Sequence, residues 1–105
     1  KFYKSGAGNE PVREWLLSLQ QDEKKTIGED IKTVQFGWPI GMPVARKVTK
    51  DLWEIRSSLH NKIARVIFTV EGSYIVLLHG FIKKTQKLPE KDLNIAKRRL
   101  ADLRG

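Results

Sequence analysis

The sequence predicts an α+β fold, a small sandwich in which helices pack on a mostly antiparallel four-stranded sheet. Residues 51–87 contain three consecutive strand-like stretches joined by short turns, and a shorter stretch precedes them. Two stretches with apolar residues at helical spacing come before the strands, and one comes after them. No linker or repeat divides the sequence, so we expect its 105 residues to form one domain with one modest core.

The first third of the chain is predicted to form a strand fragment and a helical hairpin that lies across one face of the sheet. Phe2 and Tyr3 suggest the fragment, and the start at Lys1 rather than Met suggests that a few residues precede it. Pro11 suits the first position of one helix, and Asp22 is expected to cap a second. The apolar stripes of the two helices are Val12, Trp15, Leu16 and Leu19, and then Ile27, Ile31 and Val34.

The four strands are predicted at residues 44–48, 52–57, 63–70 and 74–82. Two prolines and two glycines make residues 37–43 a loop before the first strand. Trp38 in this loop is interpreted as a plug between helices and sheet, with stacking on a nucleic-acid base as the alternative. A final helix begins near Pro89. Its buried stripe is predicted to be Leu93, Ala96, Leu100 and Leu103.

The composition favours a polyanionic partner. The chain has 20 Lys and Arg against 12 Asp and Glu, a formal net charge of +8. This bias points to nucleic acid, acidic proteins or anionic membranes, with a merely solubilising surface as the alternative. The lack of cysteine excludes thiolate chemistry and fits a reducing cytoplasm. Two histidines are few for a metal site, and no apolar run is long enough to span a membrane. We therefore expect a cytoplasmic protein without metal, cofactor or membrane partner.

Arg56 and Arg65 form the first candidate site. Both interrupt apolar strands that flank the loop at residues 57–62, and an arginine on a sheet is costly unless it pairs with an anion. One interpretation is structural pairing with a nearby carboxylate of Asp51, Glu54 or Glu71. The other is a phosphate clamp, since guanidinium donors match phosphate oxygens in pairs.

A lysine cluster after the last strand forms the second candidate site. It comprises Lys83, Lys84 and Lys87, close to Gly80, Thr85 and Gln86. The glycine allows a close approach of backbone, and the two polar side chains can donate to phosphate oxygens. Further candidates for contact with RNA are Phe81, His60, Lys62, Arg46 and Lys47. His79, inside an apolar strand, is interpreted as a hydrogen-bonded core residue.

The sequence offers no recognisable phosphate loop, zinc-protease motif or nucleophile elbow. Catalysis would then be electrostatic. Fixed cations would orient an RNA 2′-hydroxyl for attack on its own 3′-phosphate and stabilise the transition state. A lysine whose pKa is lowered by neighbouring cations can serve as the base.

Four segments carry a more specific pattern: EPVREWL at 10–16, LWEIR at 52–56, ARVIF at 64–68 and VLLHGFIKKTQKLP at 76–89. Together they resemble the phage-derived Gp49-like, or HigB-like, branch of the RelE/ParE toxin superfamily. The resemblance implies a RelE-like sandwich and the toxin of a type II toxin–antitoxin system. Such toxins enter the ribosomal A site and cut the translated mRNA.

The resemblance also implies partners and site residues. The antitoxin in this branch is usually a helix-turn-helix (HigA-like) protein, and the hetero-oligomer binds its own operator through the antitoxin. Arg56 and Arg65 occupy the superfamily's cationic strand positions, and Lys84 falls where a catalytic arginine often sits, with Lys83 beside it. Glu54 stands where some relatives carry a basic residue. A ParE-like inhibitor of DNA gyrase and a basic nucleic-acid-binding module remain the alternatives to the ribosome-dependent endoribonuclease.

Overall fold

The computed structural model describes residues 1–39, 44–83 and 87–105. These residues form three helices and four strands: α1 (Pro11–Leu17), α2 (Gln21–Gly37), β1 (Ala45–Thr49), β2 (Leu52–Ser58), β3 (Ile63–Glu71), β4 (Tyr74–Lys83) and α3 (Glu90–Arg104). The strands make one antiparallel sheet in the order β1-β2-β3-β4. The predicted α+β architecture is confirmed, and each predicted strand boundary lies within one residue of the observed one.

The N-terminal helices cover one face of the sheet. Alternate residues of β2 and β3, among them Ile55, Val66 and Phe68, pack against Val12 of α1 and the apolar stripe of α2. Trp38 fills the junction between helices and sheet: its ring meets those of Trp53 and Phe68 edge-on, each at a centroid distance of 5.3 Å. The interpretation of Trp38 as a plug is confirmed.

Helix α3 covers part of the opposite face. Ala96 is fully buried against a second cluster that includes Ile67, Leu78 and Phe81, and the helix contacts β4 and β3. The prediction for Leu103 was wrong, because that side chain is 37% exposed near the end of the helix. The helix lies chiefly over β4 and β3.

Two local features complete the fold. Phe2 forms a parallel bridge with Leu77, so the predicted strand fragment joins the edge of the sheet beside β4. The prediction that Asp22 caps α2 was wrong: the helix begins two residues earlier, with Gln20 as its N-cap, and the N–H of Gln20 donates to the Glu23 carboxylate at 3.3 Å. Asp22 instead lies in the first turn, where its charge favours the helix dipole.

Candidate active site

Each strand contributes one cation to the sheet face on which α3 packs: Arg46 from β1, Arg56 from β2, Arg65 from β3 and Lys83 from β4. We call these four residues the cationic face. The strand register pairs Arg56 directly with Arg65. Lys83 lies opposite Ile63, which precedes Arg65 by two residues in β3 and is closer to the end of the sheet. Side chains at alternate positions of a strand share a face. The sheet therefore gathers cations that are widely separated in sequence.

Glu54 lies at the centre of the cationic face and is only 2% exposed. Its Oε1 accepts from Nη2 of Arg46 at 2.7 Å and from Nη1 of Arg65, which is equally buried. The structural interpretation of Arg65, a pair with Glu54, thus describes its contact in this structure. A buried carboxylate requires such partners, because desolvation of an isolated charge is prohibitively costly.

The ion pair between Glu54 and Arg65 is incompletely hydrogen-bonded. Within the described ranges, Oε2 of Glu54 and Nε of Arg65 are buried and have no hydrogen-bond partner. Buried polar atoms of native proteins are usually satisfied, so these two atoms make the buried ion pair costly in stability.

Lys83 ends β4 with a side chain that is almost entirely buried. Burial lowers its pKa below the ordinary value of 10.5, and the positive charge of Arg65 lowers it further, with smaller contributions from Arg46 and Arg56. The carboxylate of Glu54 opposes the shift only in part. A larger fraction of Lys83 is therefore neutral near physiological pH than of an exposed lysine, and a neutral amine can accept a proton.

Arg46 and Arg56 are the two exposed guanidinium groups of the cationic face, and Arg46 is paired with Glu54. The backbone N–H of Arg56 donates to the carbonyl of Val44 at 2.9 Å, which fixes the start of its side chain. No carboxylate of the described ranges lies within 4 Å of its guanidinium. Arg56 can therefore meet an incoming phosphate. Lys84, Thr85 and Gln86 lie outside the described residues, and Lys87 is exposed just beyond them.

A family model described as "Phage derived protein Gp49-like" matches residues 14–101, which include all four strands and most of α3. The chain belongs to this family. Gp49-like proteins are of the toxin–antitoxin type, so membership implies an antitoxin partner. No curated protein matches the chain.

Three other residues expected to contact RNA, Lys47, Lys62 and His60, lie apart from the cationic face of this Gp49-like protein. Lys47 is on the opposite side of the sheet, with its Nζ 5.5 Å from the ring centroid of Trp53. Lys62 bonds to Glu23 at 2.8 Å, and together with His60 it lines a recess of about 380 Å³ beside α2. Of the further candidates for contact with RNA, the strand register places only Arg46 beside Glu54.

Phe81 and Gly80 have structural roles in the Gp49-like fold. The ring of Phe81 is buried and stacks on His79 at a centroid distance of 5.5 Å. Gly80 faces α1, where the ring of Trp15 covers its Cα. The close approach that this glycine allows is therefore made by a tryptophan, and not by a ligand at the cationic face.

Sequence reasoning missed a polar network that holds α3 on the sheet. His79 Nε2 lies 2.6 Å from Oδ1 of Asp92, and Nη1 of Arg99 lies 3.4 Å from Nδ1 of the same ring. Arginine only donates, so Nδ1 accepts and Nε2 donates to Asp92, which requires a neutral imidazole. Burial lowers the pKa of His79 and favours that neutral form. The sequence signal for this network was an aspartate, Asp92, in the first turn of a predicted helix. Its position beside His79 follows only from the fold.

The described residues contain no group of three or more histidine, aspartate or glutamate side chains arranged to hold a metal ion. The same part of the chain has no helix with the length and apolar content needed to cross a membrane.

Proposed function

We propose that this protein is a type II toxin of the RelE/ParE superfamily, in its HigB-like branch, and that it cuts mRNA on the ribosome. The observation that carries the proposal is the cationic face. Four strands bring Arg46, Arg56, Arg65 and Lys83 to one end of the sheet, and Arg56 is exposed there. A scissile phosphate bound at this place gains charge in the transition state, and fixed cations stabilise it.

The reaction that these groups support is an internal transfer. Neutral Lys83 accepts the proton of an RNA 2′-hydroxyl, the oxygen attacks the adjacent phosphorus, and the bond to the 5′-oxygen breaks. The products are a 2′,3′-cyclic phosphate and a 5′-hydroxyl end. Arg56 binds a non-bridging phosphate oxygen. Arg65 and Arg46, anchored by Glu54, supply positive potential, and Lys84 is a further candidate for protonating or neutralising the leaving oxygen.

Antitoxin pairing completes the proposed system. A HigA-like helix-turn-helix protein neutralises the toxin, and the hetero-oligomer represses its own operon through the DNA-binding partner. The net charge of +8 supports both an RNA target and an acidic protein partner, since long-range attraction accelerates association with either.

Primer extension on translated mRNA tests the proposal. Wild-type protein is expected to produce discrete cuts within translated message. Arg56→Ala should reduce the cleavage rate about 100-fold or more, as expected for one donor to a developing negative charge. Lys83→Met, which keeps the volume and apolar stem of the side chain, should reduce it at least as much.

Lys25→Ala is the matched control, because Lys25 is an exposed lysine of α2 on the other side of the sheet. It is expected to cut like the wild type. Growth arrest with intact message would contradict the proposal and favour the gyrase inhibitor. Intact message without growth arrest, together with an equal loss of RNA affinity in all three variants, would favour a basic binding module, whose affinity depends on total charge.

A further inference from the structure

A groove lies along the first half of α3, immediately after the segment that follows Lys83. Its volume is about 620 Å³, within the range typical of ligand sites. Leu88, Pro89 and Leu93 provide an apolar lining. These are surfaces on which the flat face of a nucleobase can pack while its edge remains accessible.

The polar groups of the groove suit a nucleotide. Lys87 and Lys97 line it against one acidic residue, Glu90, so its net charge is positive. Asn94 also lines it, is exposed, and makes no side-chain hydrogen bond within the described part of the chain. Asparagine is an unfavourable residue for a helix interior, and its amide can pair with the edge of a base.

Lys97 connects this groove to a second one. The second groove, of about 330 Å³, lies between α3 and the β1–β2 turn, where Lys50 contributes further positive charge and Arg104 is paired with Asp51 and Glu71. Lys97 lines both. A strand of RNA that follows α3 through both grooves therefore meets Lys87, Lys97 and Lys50.

We propose that the groove beside α3 is a subsite for a nucleotide next to the cut, in which Asn94 reads the base and Lys97 binds a phosphate. The inference rests on the proposed ribonuclease function and extends it to a determinant of sequence preference. Charge complementarity identifies the occupant as the RNA strand being cut, because Lys87 and Lys97 outnumber the one carboxylate of the groove and Lys97 also lines the second groove. The two side chains have separable effects, because phosphate contacts give affinity whereas base contacts give specificity.

The test compares cut sites on a panel of translated mRNAs. Asn94→Ala should keep the total cleavage but change the relative use of sites about tenfold, the discrimination expected from one amide–base pair. Lys97→Ala should reduce cutting roughly fivefold at all sites alike and flatten the salt dependence by about one charge. Lys97→Arg should restore both the cleavage rate and its salt dependence.

Lys91→Ala is the control, since Lys91 is an exposed lysine on the same helix that lines neither groove. Wild-type cutting with an unchanged site distribution in Asn94→Ala and an unchanged rate in Lys97→Ala would overturn the subsite while leaving the ribonuclease intact. Message left intact by the wild type would refute the ribonuclease function and, with it, the subsite.

Discussion

At the scale of single residues, Glu54 determines how the cationic face is held together. It places a buried carboxylate among like charges that would otherwise repel one another, and it binds Arg46 and Arg65 through one oxygen. Its effect on Lys83 is weaker than that of burial and Arg65, so the lysine keeps a lowered pKa. Glu54 thus stabilises the cluster without cancelling its positive potential.

Removal of this carboxylate should therefore destabilise the protein strongly. Glu54→Ala leaves Arg65 buried without a counter-ion, which we expect to reduce the free energy of unfolding by about 3 kcal/mol or more. Glu71→Ala is the matched comparison, because Glu71 pairs with Arg104 at 3.3 Å where both side chains are over 40% exposed. That change should cost less than about 1 kcal/mol. Urea unfolding measures the free energy of unfolding of both variants. An equal loss of stability in the two would contradict a stabilising role for the buried pair.

At the scale of elements, the contact between α1 and β4 depends on a glycine. A Cβ built on Gly80 would overlap the ring carbons Cε3 and Cζ3 of Trp15. Trp15 is rigid and packed against the core, so it cannot yield as a flexible chain would. The helix and the strand therefore approach each other as closely as the missing side chain permits.

Two glycine-to-alanine changes should consequently have opposite effects on the free energy of unfolding. Gly80→Ala is expected to reduce the free energy of unfolding by about 1–3 kcal/mol through overpacking. Gly28→Ala, in the interior of α2 with no atom within 4 Å of an added Cβ, should raise it by about 0.5–1 kcal/mol. Thermal melts of the two variants against the wild type make the comparison. A neutral Gly80→Ala would mean that the α1–β4 contact adjusts easily.

Helix α3 depends on polar contacts as well as on its apolar stripe. The stripe is weak, because Ala96 is its fully buried member and Leu103 is exposed. Asp92 and Arg99 compensate by bonding to His79 and to the carbonyl of Leu78 at 2.8 Å. These contacts fix the start of α3 beside the cationic face, which defines the groove along the helix.

At the scale of the whole molecule, local sequence signals predicted the elements and the pairing of strands. Alternation of apolar and polar residues, helical spacing and prolines are patterns that extend over a few residues. They predicted the architecture and the position of Trp38 between the helices and the sheet. The site was predicted less completely. Arg56 and Arg65 were singled out because charges stand out in apolar strands, but only the packing of the folded chain shows that one is exposed and the other buried.

The misses at the site have a common physical cause. Contacts between segments distant in sequence determine which side chains of β1 point to each side of the sheet and which residue pairs with Lys62. No local pattern encodes these contacts. Lys47 looked equivalent to its neighbour Arg46, yet adjacent strand residues point to opposite sides of the sheet. The network of His79, Asp92 and Arg99 joins residues 13 to 20 positions apart and was invisible for the same reason.

The most direct test of the ribonuclease account is the rate of translation-coupled cleavage as a function of pH, under single-turnover conditions, in wild type and Lys83→Met. If neutral Lys83 is the base, the wild-type rate should rise with pH and level off at the pKa of Lys83, below 10.5. The variant should be slower by about 100-fold or more and lack that rise. Parallel pH profiles in the two proteins would contradict the assignment of Lys83 as the base.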